Sequence, residues 1–286
     1  MLEEILDQFK DLRVALIGET ILDEFIPVKY QGQSMKSFCP VFELTSDSPQ
    51  KQIGGTGAIE RHLRDFVKDV TVFTNDPESI VKTRYLDLNS GQKHLEFNRF
   101  QKMDFAPINI DTRDYDVVIV ADFGHGFCDQ LDINDGFHLM CQTNSNNFGF
   151  NRLSKWKAKR KRSVCLDMRE ASLQINHRIS ECSDDLISEL YKYELNTDHL
   201  FVTLGKEGAL FTDGKETYRK GAFKTAIVDT IGAGDAFYSF ACLCSAIETP
   251  DRLTVPSLAA SLTTTWLCNE SEVNGINLKE HANRYL

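Results

Sequence analysis

The chain has 286 residues, 42% hydrophobic and 26% charged, enough to bury a large core and ordinary for a water-soluble globular protein. Its formal net charge of −10 argues against a nucleic-acid binder, because neutralising phosphates takes a cationic face. No apolar run approaches the roughly 20 residues that span a bilayer, so no membrane helix is expected.

Short apolar runs alternate with helix-period segments, which predicts one α/β domain over residues 1–286, built around a largely parallel sheet. Residues 13–18, RVALIG, read as a buried strand ending on glycine. Residues 25–30 and 40–45 alternate like exposed strands, 58–66 has helix periodicity, and 70–74 is a second buried strand. A further alternating pair, 82–88 and 94–100, is joined by Asn89-Ser-Gly91, a hairpin signal. Buried strands follow at 116–121, 163–166 and 199–204, with a helix at 183–194. The basic run at 155–162 reads as a solvated helix face. A helix is expected over 236–243, and Pro256 opens the last long helix from its first turn, where a missing N–H costs least. The alternating strands, at about 24–45 and 82–100, interrupt the α/β rhythm and predict a small β lid over the site.

The start, Met1-Leu-Glu-Glu-Ile5, lacks the basic and apolar regions of a signal peptide. The eight cysteines are scattered without C-x-x-C spacing. Buried, reduced thiols in a cytoplasmic protein are therefore expected, not a zinc ribbon or a disulfide framework.

The segment richest in chemistry is Asp229-Thr-Ile-Gly-Ala-Gly-Asp235, a glycine-rich turn leading into an apolar helix. Free N–H groups at a helix start attract an anion such as a transferring phosphoryl group. A carboxylate beside them can accept the proton of an attacking hydroxyl. An unperturbed aspartate, with a pKa of about 3.9, is ionised at neutral pH. The bland reading is a strand-to-helix turn with Asp235 as a first-turn capping charge.

This heptapeptide resembles the D-T-x-G-A-G-D signature of the PfkB (ribokinase-like) carbohydrate kinases. The resemblance implies a three-layer α/β/α sandwich with a mainly parallel sheet and a β lid, and it implies ATP and Mg2+ as cofactors. It makes Asp235 the general base, the amides of Ile231, Gly232, Ala233 and Gly234 an anion hole, and Thr230 a nucleotide neighbour.

Other motifs follow in the order the family shows. Gly18-Glu-Thr-Ile-Leu-Asp23 resembles G-D-x-x-x-D, with Asp23 as the sugar-hydroxyl acceptor and Glu19 in place of Asp. Gly54-Gly55 resembles the di-glycine that lets substrate approach the backbone. In the lid, Lys82, Arg84 and Arg99 are candidates to meet a distal phosphate, against the simpler reading of solvent-facing charges. Asp122-Phe-Gly-His-Gly126 resembles D-Y-x-K-G, making His125 a substrate-contact candidate, and the polar run 142–151 offers Asn144. Asp167-Met-Arg-Glu170 stands where N-x-x-E is usual, which implies that Glu170 and Asp167 hold magnesium through water; a helix capping box is the competing reading. Val202-Thr-Leu-Gly-Lys-Glu-Gly208 resembles V-T-x-G-x-x-G, placing Thr203, Gly205 and Gly208 at the nucleotide.

Within the family the chain looks most like the kinase half of bifunctional heptose kinase/adenylyltransferases. That implies a sugar or sugar-phosphate acceptor such as heptose 7-phosphate, a separate nucleotidyltransferase in the pathway because no H-x-G-H motif is present, and a homodimer through the lid. The alternatives are a family kinase for a nucleoside, hexose or polyol, or a catalytically weak binding or regulatory subunit.

Overall fold

The computed structural model describes residues 2–87, 90–101, 107–143, 150–176, 187, 189–190 and 195–286. Helix α1 (Leu2–Phe9) and strand β1 (Arg13–Gly18) come first, then β2 (Thr20–Gln33), β3 (Pro40–Leu44) and β4 (Gln50–Gly55), which runs into α2 (Thr56–Leu63). Next are β5 (Asp69–Phe73), β6 (Ile80–Asp87), β7 (Lys93–Phe100), β8 (Ile108–Ile110), β9 (Val117–Asp122), β10 (Leu131–Ile133) and β11 (Phe137–Cys141). Strand β12 (Lys161–Asp167) leads into α3 (Met168–Gln174), and β13 (Thr197–Thr203), β14 (Ala209–Thr212) and β15 (Thr217–Lys220) follow. Helices α4 (Ala233–Ala246), α5 (Thr254–Thr263) and α6 (Gly275–Ala282) close the described chain.

The central sheet has eight strands in the order β15-β14-β13-β12-β11-β9-β1-β5. Strands β5 through β13 in that order are parallel, and β14 and β15 pair antiparallel at one edge. A parallel strand covered by helices on both faces must be apolar on both, and β1 is: Val14 and Leu16 pack into one core, Ala15 and Ile17 into the other. The first core takes α1, α2, α4, α5 and α6, and the second takes α3 with the turns around Phe127 and Trp156. Helix α4 is buried from Ala236 to Ser245, as expected of a helix apolar all round. The result is the α/β/α sandwich.

The lid is a five-stranded sheet in the order β3-β2-β6-β7, with β4 also paired to β2. The sequence predicts four of these strands and misses β4. Its residues Gln50-Lys-Gln-Ile-Gly-Gly55 are polar and glycine-rich, so only antiparallel pairing with β2, Gln52 opposite Asp23, reveals the strand.

Two expectations are corrected. The basic run is no solvated helix face: Leu153–Trp156 is a 3-10 turn and Lys161 opens β12. Lys155 pairs with buried Asp122 at 2.7 Å, and the buried Lys161 ammonium donates to the carbonyls of Trp156 and Lys159. Pro256 is the third residue of α5 rather than its opener, still within the first turn, and α6 follows. Glu19, just beyond the end of β1, is fully buried. Most of the helix expected at 183–194, and Asn89 of the hairpin, lie outside the described residues. Cys39 is exposed and the other six described cysteines are buried thiols. Among the described residues no helix is long and apolar enough to cross a membrane.

Candidate active site

A cavity of about 1010 Å³ opens between the lid and the carboxyl ends of β9, β11, β12 and β13. This is where an open α/β sheet places its ligand crevice. Residues 230–235 form part of its wall. Gly232 caps α4 with φ +87°, a left-handed conformation that glycine adopts at little cost. Asp229 accepts from the amides of Thr230 at 2.7 Å and Ile231 at 3.2 Å, and from the Lys93 ammonium and the Cys268 thiol. The Ala233 amide donates to the Thr230 carbonyl at 3.3 Å. The expected hole of four amides is therefore corrected: Ile231 and Ala233 are engaged. Among the described residues, the amides of Gly232, Gly234 and Asp235 have no acceptor within the protein, because the first amides of a helix have no intrahelical partner.

Asp235 lies in the first turn of α4 and lines the cavity. Burial, with the Asp23 charge nearby, pushes its carboxyl up to about 7, and Lys82 offsets part of that rise. The ordinary aspartate value expected from the sequence does not hold here.

At the lid end the cavity is lined by Asp23, Gly55, Lys82, Arg84 and Glu96. Asp23 pairs with Arg84, whose Nε also donates to Glu96 at 2.8 Å. Lys82 is 8% exposed, and among the described residues its ammonium has no hydrogen-bond partner. Burial and the Arg84 charge pull its pKa down. Gly54 is held as glycine by contact, because a Cβ there would stand 2.4 Å from Asp23 Oδ2.

The remaining candidates on this side sit elsewhere. Strand register pairs Arg99 with Val81, whereas Lys82 and Arg84 face Asn98 and Glu96, so Arg99 projects from the other face of the lid. His125 stacks on Phe100 with ring centroids 5.0 Å apart and does not line the cavity. Burial, then Lys82, lowers its pKa to about 4. Asn144 lies outside the described residues. Buried Glu19 accepts the amides of Phe123 at 2.8 Å, His125 at 3.2 Å and Phe127 at 3.1 Å, so it holds the loop after β9. Burial and Asp122 raise its carboxyl to about 7. Glu19, Asp122 and Cys128 are spaced like metal ligands. Amides, Trp156 and Lys155 already occupy those carboxylates.

Toward the other end the lining includes Thr203, Gly205, Gly208, Thr230 and Asp167. Asp167 and Glu170 form a complete capping box on α3: Asp167 accepts the Glu170 amide at 2.7 Å, and Glu170 accepts the Asp167 amide at 2.8 Å. Glu170 also accepts from Thr143 N at 3.0 Å, and burial with the Asp167 charge raises it to about 8. Asp167 faces the cavity, and Glu170 does not.

Residues 164–246 match the model of the pfkB family carbohydrate kinases. The chain resembles the pfkB kinases. The pfkB-like segment runs from β12 through α4, so it carries Asp167, Thr203, Gly208 and Asp235. The chain is 43% identical over 63 residues to a ribokinase of Lactococcus lactis and 43% identical over 53 residues to an ATP-dependent 6-phosphofructokinase of Thermoanaerobacterium thermosaccharolyticum. Those stretches cover 21% and 18% of this chain and only 20% and 16% of the curated relatives. In three dimensions the likeness covers the whole fold. A Thermotoga maritima ribokinase matches with TM-score 0.66 at 13% identity, over 95% of this chain and 99% of that one. An Arabidopsis thaliana ribokinase complexed with ribose and ATP matches with TM-score 0.63, at the same identity and coverage. The fold is that of the ribokinases.

Against this pfkB-like frame, the charged or carboxamide side chains Glu96, Arg169, Lys206 and Asn269 line the cavity without having been marked as candidates by the motifs. Strand alternation brings Glu96 to the face of Arg84 and could have found it. The other three sit beside motif residues or beyond α5, and no spacing marks them.

Proposed function

We propose that the protein is an ATP-dependent kinase that phosphorylates a hydroxyl of a sugar or sugar phosphate. One observation carries the reading: an aspartate of raised pKa and three unpaired amides open α4 inside the cavity that also holds Asp23 and Lys82. Asp235 takes the proton of the attacking hydroxyl as the γ-phosphoryl group moves in line toward it. The amides of Gly232, Gly234 and Asp235 receive the charge of the transferring group, where preorganised donors are worth most. Asp23 accepts from acceptor hydroxyls. Lys82 meets the acceptor or a distal phosphate, since Arg84 already serves two carboxylates and Arg99 faces away. The nucleotide lies along Thr203, Gly205, Gly208 and Thr230, with Lys206 and Arg169 beside its phosphates.

Magnesium, when it accompanies the nucleotide, neutralises phosphate charge. The outward-facing oxygen of Asp167 fits a hydrated ion, because magnesium keeps much of its water. Glu170 acts behind it by holding the cap. The acceptor that the lid best suits is a polyol ring, of which heptose 7-phosphate is one example. A sugar 1-phosphate product would pass to a separate nucleotidyltransferase in the cytoplasm. Tyr30, Leu44, Leu95 and Phe97 leave an apolar lid surface exposed, which supports a homodimer through the lid.

The test is Asp235→Asn. Sugar-dependent ADP release is expected to fall at least a thousandfold while ATP binding by calorimetry changes little. Turnover near wild type would overturn the assigned base.

A further inference from the structure

Asn269 lies beyond α5, is 4% exposed and lines the cavity. Its two hydrogen bonds are made by backbone atoms: the amide donates to Gln52 Oε1 on β4 at 2.8 Å, and the carbonyl accepts from Arg61 Nη1 on α2 at 2.9 Å. Among the described residues its side-chain carboxamide makes none. A carboxamide that lines the cavity without a protein partner is completed by a ligand or by water.

The surroundings fix where that carboxamide points. The residue before it, Cys268, holds φ +49°, a left-handed conformation unusual away from glycine, and its thiol donates to Asp229 at 2.7 Å. Strain of this kind persists where neighbouring structure enforces it, and it clusters at ligand sites. Between the Gln52 and Arg61 clamps the carboxamide lies across the two glycine motifs. A Cβ on Gly232 would meet Asn269 Oδ1 at 2.5 Å. A Cβ on Gly54 would stand 3.1 Å from Asn269 Nδ2 and 2.4 Å from Asp23 Oδ2. A donor and a carboxylate acceptor thus flank one spot at the acceptor end, close to the loop that opens α4.

We propose that Asn269 is an acceptor-binding residue. Its Nδ2 donates to one oxygen of a vicinal diol while the neighbouring hydroxyl donates to Asp23, which presents the next hydroxyl to Asp235. The inference rests on the kinase reading and adds a specificity element to it. It makes Asn269 a positioning residue for a polyhydroxylated acceptor.

The test uses the full chain with D-ribose, D-fructose, fructose 6-phosphate and sedoheptulose 7-phosphate, followed by ADP release and by ligand-induced thermal shift. With the best acceptor, Asn269→Ala and Asn269→Asp are expected to raise acceptor KM about tenfold or more, leave ATP KM within about twofold, and abolish the sugar-induced thermal shift while keeping the ATP-induced one. An unchanged acceptor KM in both variants overturns the role of Asn269 and leaves the kinase reading standing, and so does a rise confined to ATP. Absence of any sugar-dependent turnover or thermal shift in the unsubstituted protein overturns the kinase reading itself, and the inference with it.

Discussion

At the scale of single residues, the raised carboxyl of Asp235 links chemistry to stability. In the proposed role of base it acts only when ionised, so kcat/KM should fall about tenfold per pH unit below about 7. Glu19 and Glu170 titrate nearby, so the rate profile alone does not assign the group. Stability separates them. A carboxyl whose folded pKa lies above its unfolded value favours the fold when protonated, and that contribution is lost as pH climbs from about 4 to about 7. Asparagine mimics the protonated form at all pH values. The unfolding temperature of Asp235→Asn should therefore exceed that of the wild type by a margin that grows from pH 5 to pH 8; a margin flat with pH would refute the raised pKa. The helix start at Asp235 and its glycines was legible in sequence because a glycine-rich turn ahead of an apolar run marks one. Asn269 was not, because a carboxamide acquires meaning only from the Gln52 and Arg61 clamps, which are more than two hundred residues away in sequence.

At the scale of elements, the buried strands were readable from apolar runs, and misreadings arose where charge met burial. The basic run was taken for a solvated face because charge counting ignores partners, and the partner here is Asp122, far from it in sequence and fully buried. Lys155 and Trp156 Nε1 both reach one oxygen of that carboxylate, so a 3-10 turn ties down the end of β9. Removing one member of a buried pair strands the other. Lys155→Ala should lower the unfolding free energy by about 2–4 kcal/mol, reduced from the fully buried case because Lys155 keeps some solvent contact. Urea denaturation of the variant measures this, and a loss below about 0.5 kcal/mol would place the run back among surface charges. The capping box on α3 is the converse case. The family resemblance implied the magnesium reading and local spacing offered the cap; the geometry gives Glu170 to the cap while leaving Asp167 facing the cavity.

At the scale of the whole molecule, two sheets meet over one cavity, and the position of the upper sheet decides whether the site is assembled. Strand β2 follows β1 directly and β4 runs into α2, so the lid is anchored to the main domain at those two junctions. Its far strand is tied down differently. Lys93 on β7 reaches Asp229 at 2.5 Å, and Asp229 also orders the Thr230 and Ile231 amides and takes the Cys268 thiol. One carboxylate thus ties the lid to the loop that opens α4 and, through Cys268, to the seat of Asn269. Lys93→Ala removes the lid's part of that coupling and leaves the loop's other hydrogen bonds in place. Backbone amides of β6 and β7 should then exchange hydrogen faster, and acceptor KM should rise several-fold with kcat nearly preserved, because closure is disfavoured while the closed site is unchanged. Equal exchange in both proteins would mean that the lid is held by its junctions with β1 and α2 alone. A fall in kcat without a change in KM would mean that Lys93 acts on the loop rather than on the lid.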